Sequence, residues 1–300
     1  MQSRETFIEV AVGRIWSEII YTETSKHRPA LICLHGGPGS NHNKLKYSLS
    51  GLAKVFPIIF YDQLGGGKSY VQEGNPANNH LWNVQRFTDE LASLIQFYKL
   101  EQFNLFGSSW GSSLAIEYWL GNYNPKPQRL VLGSPLISTK RWEQDSTLLK
   151  QQLPAEIYSI LVECEQHNQT SSQKYKDAME QFYNRHVLRK PELNATQLDF
   201  LARNPTFINN DVYQNMWGSN EFYSTGQLAN YERFADLQHI SIPTLFIGGE
   251  HDEARPETLA LYQQQVKDSQ LVTIAGASHC GYFEATPAYS KALQEFLWVE

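Results

Sequence analysis

Residues 103–111 read FNLFGSSWG. Phe103 to Phe106 is a short run, apolar but for Asn104, that reads as a buried strand. Gly107-Ser108-Ser109-Trp110-Gly111 then fits G-x-S-x-G, and helical spacing continues from Trp110 to about Tyr123. A sharp strand-to-helix turn needs small residues around its serine, because a side chain at either glycine would meet neighbouring backbone. Such a turn pushes Ser109 into a cleft, and the helix starting beside it offers backbone N–H donors and a positive dipole end. An ordinary Gly/Ser-rich turn is the bland alternative, and it leaves the flanking strand and helix unexplained.

On both sides the same rhythm repeats. FIEVAV and IWSEIIY, within 6–21, read as a hairpin turning at Gly13-Arg14. PALICLHG (29–36), FPIIFYD (56–62) and RLVLGS (129–134) read as buried strands, with an amphipathic helix over 81–98. After residue 134 about a hundred residues show helical patches and no strand run. The alternation returns with IPTLFIGG (242–249), a helix from Pro256 to Val266, QLVTIAG (270–276) and a closing helix from Pro287 to Trp298. This predicts an α/β fold: a mostly parallel twisted sheet flanked by helices. Its core is expected at 1–134 and 239–300, with a helical cap inserted at 135–238.

The totals narrow the function. At 300 residues the chain can bury a large core, and 41% hydrophobic against 19% charged residues suits a globular protein. A formal net charge of −6 offers no basic face for nucleic acid or anionic membrane. No run approaches the roughly 18 apolar residues of a membrane span, and the N-terminal stretch lacks a leader's apolar segment. Cys33, Cys164 and Cys280 form neither a CxxC pair nor a disulfide framework. A cytoplasmic protein is therefore expected, and the sequons at Asn168 and Asn194 are set aside as chance matches.

A serine is a weak nucleophile at neutral pH and needs a base, itself oriented by a carboxylate. Gly248-Gly249-Glu250-His251-Asp252 follows the strand IPTLFI, and Gly276-Ala277-Ser278-His279 follows QLVTI. Both Asp252 and His279 thus fall at the carboxyl edge of the sheet, in the chain order Ser, Asp, His that α/β-hydrolases use. His251 is the rival base, although a histidine directly beside Asp252 would usually point away from it. Asp62 is the rival carboxylate, at a position that more often braces loops. His35-Gly36-Gly37-Pro38-Gly39 lets the backbone bend so that Gly37 N–H, with Trp110 N–H, forms an oxyanion hole. A phosphate loop is disfavoured, since neither a Walker lysine nor GxGxxG spacing is present.

HGGPG, the segment Tyr61-Asp62-Gln63-Leu64-Gly65-Gly66-Gly67-Lys68-Ser69 and the elbow GSSWG together resemble the proline iminopeptidase family of α/β-hydrolases, including the aminopeptidase that works with the tricorn protease. The likeness spans nearly the whole chain, strongly in the sheet motifs and weakly in most of the cap. Ser108 and Ser112 stand where the family usually has glycine. Met216-Trp217-Gly218-Ser219-Asn220-Glu221-Phe222 is similar to the family's Trp-Gly-Pro-Asn-Glu-aromatic stretch, with Ser219 for proline. The resemblance implies that Glu221 binds the substrate's free α-ammonium and that Glu253 is a second such carboxylate. Solvated surface acids are the plainer reading of both. Trp142, Tyr213, Trp217 and Phe222 either line a pocket for the first side chain or form cap core.

The expected function is a serine aminopeptidase releasing proline or another small or hydrophobic residue from short peptides through an acyl-enzyme, with no metal or organic cofactor. An amino-acid amidase or small-ester hydrolase would use the same triad. A non-catalytic binding protein on this scaffold is the reading of another class. Epoxide hydrolases and dehalogenases place Asp where this chain has Ser109.

Overall fold

The computed structural model describes residues 1–205, 207–220 and 222–298. Eight strands form one sheet: β1 (Gln2–Glu9), β2 (Arg14–Tyr21), β3 (Ala30–Leu34), β4 (Ile58–Tyr61), β5 (Phe103–Ser108), β6 (Leu130–Gly133), β7 (Thr244–Gly249) and β8 (Ser269–Ile274). Their order across the sheet is β1-β2-β4-β3-β5-β6-β7-β8. β1 and β2 pair antiparallel, as does β2 with β4, and every later pairing is parallel. β3 to β7 are buried along their whole length, which is why they read as mostly apolar runs.

Period-two alternation sends these side chains into two apolar layers. Ile32, Leu34, Leu105 and Leu132 pack into one, with α2 (Val84–Phe97), α3 (Trp110–Leu120) and α9 (Pro256–Gln263). Leu31, Cys33, Phe106 and Val131 pack into the other, with α1 (Asn43–Leu49) and α11 (Thr286–Leu297). Between β6 and β7 lie α4 (Thr139–Gln151), α5 (Ala155–Gln166), α6 (Gln173–His186), α7 (Ala195–Arg203) and α8 (Asn210–Met216). α4 to α6 enclose a third apolar cluster around Leu161 and Phe182. Asn194, half of one sequon, is the N-cap of α7 in a reciprocal capping box with Gln197. A short α10 (Gly281–Glu284) precedes α11. No helix among the described residues is long and apolar enough to cross a membrane.

The chain leaves β3 for β4 on one side and returns to add β5 on the other. A crevice opens at such a reversal, at the carboxyl ends of the strands. There the segment after β3 meets the turn after β5.

Candidate active site

The turn after β5 is strained in the way its sequence demands. Ser109 sits at φ 56°, ψ −123°, a conformation few non-glycine residues adopt. A Cβ on Gly107 would lie 2.3 Å from the carbonyl oxygen of Gly111, and one on Gly111 would lie 2.2 Å from that of Leu34. Neither glycine can be replaced without moving backbone. Ser109 N–H donates to the Gly133 carbonyl at 2.8 Å, tying the strained residue to β6.

His279 and Asp252 meet at the ends of β8 and β7. Nδ1 of His279 lies 2.9 Å from Oδ1 of Asp252. Asp252 also accepts from Ala254 N–H at 2.8 Å, Gly249 N–H at 3.3 Å and the Ser134 hydroxyl at 2.5 Å. A carboxylate so surrounded by donors holds the His279 proton on Nδ1 and leaves Nε2 as the basic nitrogen. Trp142 packs edge-on to the imidazole, with ring centroids 5.6 Å apart. Of the rivals, Asp62 is engaged elsewhere: it accepts from Nδ1 and N–H of His42, at 2.7 and 2.8 Å, and from Lys68 N–H at 2.8 Å. Burial opposes its charge, yet the bond from His42 and the nearby imidazoles leave its pKa below the usual value. His251 gives its backbone to the site, as its carbonyl lies 2.9 Å from Nδ1 of His186.

Ser109, His279, Gly37 and Glu253 line a cavity of about 520 Å³. Glu253 is 3% exposed, with Oε1 3.7 Å from Nδ1 of His279, so it is no solvated surface acid. Glu221 lies outside the described residues. Among the aromatic residues, Trp142, Tyr213 and Trp217 line the cavity, whereas Phe222 packs edge-on against Phe182 in the cluster of α4 to α6.

These features sit in a chain whose residues 29–286 match the α/β-hydrolase fold family. The proline iminopeptidase of Heyndrickxia coagulans is 34% identical over 297 residues, 98% of each chain. That of Lactobacillus helveticus is 32% identical over 273 residues, 90% of each. The chain belongs to the proline iminopeptidase family of α/β-hydrolases. Among solved structures, Mycobacterium smegmatis proline iminopeptidase aligns with a TM-score of 0.85 at 27% identity, covering 98% of this chain and 97% of that one. VinJ gives 0.85 at 28% identity, covering 98% of both.

Three parts of this proline iminopeptidase-family site carry no signature in the sequence. Ser134, at φ 45° after β6, donates to both Asp252 and the His279 carbonyl, the latter at 3.2 Å. The His186 carbonyl at the end of α6 accepts from Glu253 N–H at 3.2 Å and His279 N–H at 3.1 Å, while that of Val187 accepts from Cys280 N–H at 2.9 Å. Finally, buried Gln63 joins the two loops that flank Ser109. Its amide Nε2 donates to the His35 carbonyl at 2.8 Å, and its Oε1 accepts from the Trp110 indole at 2.9 Å. Gln63 lies in the Tyr61–Ser69 segment that carries the family resemblance, which gave it no role of its own.

Proposed function

We propose that the protein releases the N-terminal residue, proline or another small or apolar residue, from short peptides, with Ser109, Asp252 and His279 as its catalytic triad. The observation that carries this is the 2.9 Å bond from His279 to Asp252, with His279 and the strained Ser109 facing one cavity. Nε2 of His279 takes the proton of Ser109 as Oγ attacks the first peptide carbonyl. Gly37 N–H and Trp110 N–H stabilise the oxyanion; Trp110 opens α3, so its N–H has no partner within the helix. His279 then passes the proton to the leaving amine, and water, activated by the same base, releases the acyl group from Ser109.

Glu253 supplies the negative charge for the substrate's free ammonium, since it is buried against the cavity beside the base. The resemblance assigns Glu221 the partner role. Residues 135–238 act as a cap inserted in a core of 1–134 and 239–300; in support, every strand of the sheet lies outside that segment, and Trp142, Tyr213 and Trp217 from it reach the cavity. A cytoplasmic location suits the free, buried Cys33, Cys164 and Cys280.

The test compares prolyl and alanyl arylamides with their N-acetylated forms, in wild type and Ser109→Ala. Loss of a nucleophile costs roughly 10³- to 10⁶-fold in turnover. Undiminished hydrolysis by Ser109→Ala removes the triad, and equal kcat/KM for acetylated and free substrates removes the aminopeptidase reading.

A further inference from the structure

The cavity holds more positive charge than the proposed chemistry uses. Lys44, Lys176 and Lys190 all line it, in a chain of net charge −6. Lys190 is 3.6 Å from Glu180, which lines the same cavity. Lys44 and Lys176 have no carboxylate within 4.0 Å among the described residues. Lys176 and Lys190 are exposed, where water screens an ion pair to little value. Lys44, on α1 just after the HGGPG loop, is only half-exposed.

Lys44 reaches the segment that carries His279. Its Nζ lies 3.9 Å from Sγ of Cys280, the residue after His279. Burial pushes the Cys280 thiol pKa up, so this sulfur is a neutral neighbour and no counter-ion. Val187, Leu188 and Tyr282 are apolar surroundings of the same cavity, and an ammonium beside such walls gains from an incoming anion.

We infer that Lys44 receives the terminal carboxylate of the leaving residue, so that dipeptides with both ends free are the favoured substrates. This deepens the aminopeptidase reading and rests on it. The base that protonates the leaving amine must sit beside it, and in a dipeptide a single Cα separates that nitrogen from the carboxylate. A carboxylate so placed falls among the neighbours of His279, where Lys44 is the half-buried cation and Glu253 the buried anion. The cavity then matches a zwitterion at both of its ends.

The test measures kcat/KM for prolyl-alanine and for prolyl-alaninamide, each relative to a prolyl arylamide, which has no carboxylate. Wild type is expected to favour the free acid by about ten- to a hundredfold, the factor carried by one charge-assisted hydrogen bond. Lys44→Met brings the acid-to-amide ratio close to one, mainly through KM, while Lys44→Arg keeps most of it. A wild-type ratio of one, or a preference that survives Lys44→Met, overturns the proposal. Arylamide turnover by wild type separates the two levels: without it the aminopeptidase reading fails as well, and with it only the carboxylate subsite is at stake.

Discussion

The backbone N–H of Gln63 donates to Nε2 of His35 at 3.0 Å. That bond makes Nε2 an acceptor, so the proton of this buried imidazole is on Nδ1, 2.8 Å from the Gly36 carbonyl oxygen. Burial lowers the His35 pKa, which keeps the ring neutral as the bond requires. In a planar trans peptide the Gly36 carbonyl and the Gly37 N–H point in opposite directions. By holding that carbonyl, His35 therefore aims the Gly37 N–H proposed for the oxyanion hole. His35→Ala should lower kcat by about 10²-fold, near the cost of one lost oxyanion donor, with KM little changed. Steady-state kinetics on an arylamide check this; an unaltered kcat means the peptide keeps its orientation without the ring.

Gln63→Ala should act on stability as well as rate. It strands the His35 carbonyl and the Trp110 indole N–H in a fully buried place. Leaving two such groups unsatisfied costs about 2–6 kcal/mol, to be read from urea unfolding. A change below about 0.5 kcal/mol would mean that the loops close over the gap.

Ser134→Ala removes the shortest donor to Asp252. The carboxylate keeps its backbone donors, so His279 is held less firmly rather than released. A fall in kcat/KM of about tenfold is expected, the equivalent of one ordinary hydrogen bond, with the melting temperature shifted by a few degrees at most. A loss as large as that of the nucleophile variant would put Ser134 in the chemistry itself.

Glu90 gives the fold a pH dependence. It is buried under the loop after β4, where Oε2 accepts from Leu64 N–H at 2.9 Å, and burial pushes its pKa from 4.5 up to about 8. Between those values the unfolded chain is ionised while the folded one keeps its proton. Stability therefore falls as pH rises through that window and levels off above it. Glu90→Gln should remove this slope, raising the melting temperature at pH 9 while changing it little at pH 5. Parallel curves for the two proteins across that range would contradict it.

The sequence made some of this legible and not the rest, for physical reasons. Strands β3 to β7 were readable because burial on both faces leaves them mostly apolar, with Asn104, Ser108 and Thr244 the buried polar exceptions. The strained turn at Ser109 was readable because only glycine fits at 107 and 111, and the positions of Asp252 and His279 because both follow strand ends. Asp62 also follows a strand, and that it meets His42 while Asp252 meets His279 appears only in three dimensions. Ser134, Gln63 and the His186 carbonyl act through hydrogen bonds between distant segments, which leave no periodicity behind. Trp142 and Phe222 belong to the same helical region, yet one faces the cavity and the other a separate apolar cluster. Tertiary packing sets that difference, and composition does not carry it.

The carbonyls of His186 and Val187 reach from the end of α6 to the loops that bear Glu253, His279 and Cys280. The end of α6 thus stitches the proposed cap to the proposed core, as roof to floor, beside the cavity. A lineage that trades one helical roof for another must carry this short stretch across with the floor or rebuild it. Diversification of substrate range in such a protein should therefore concentrate in α4, α5 and α8, leaving the end of α6 comparatively still.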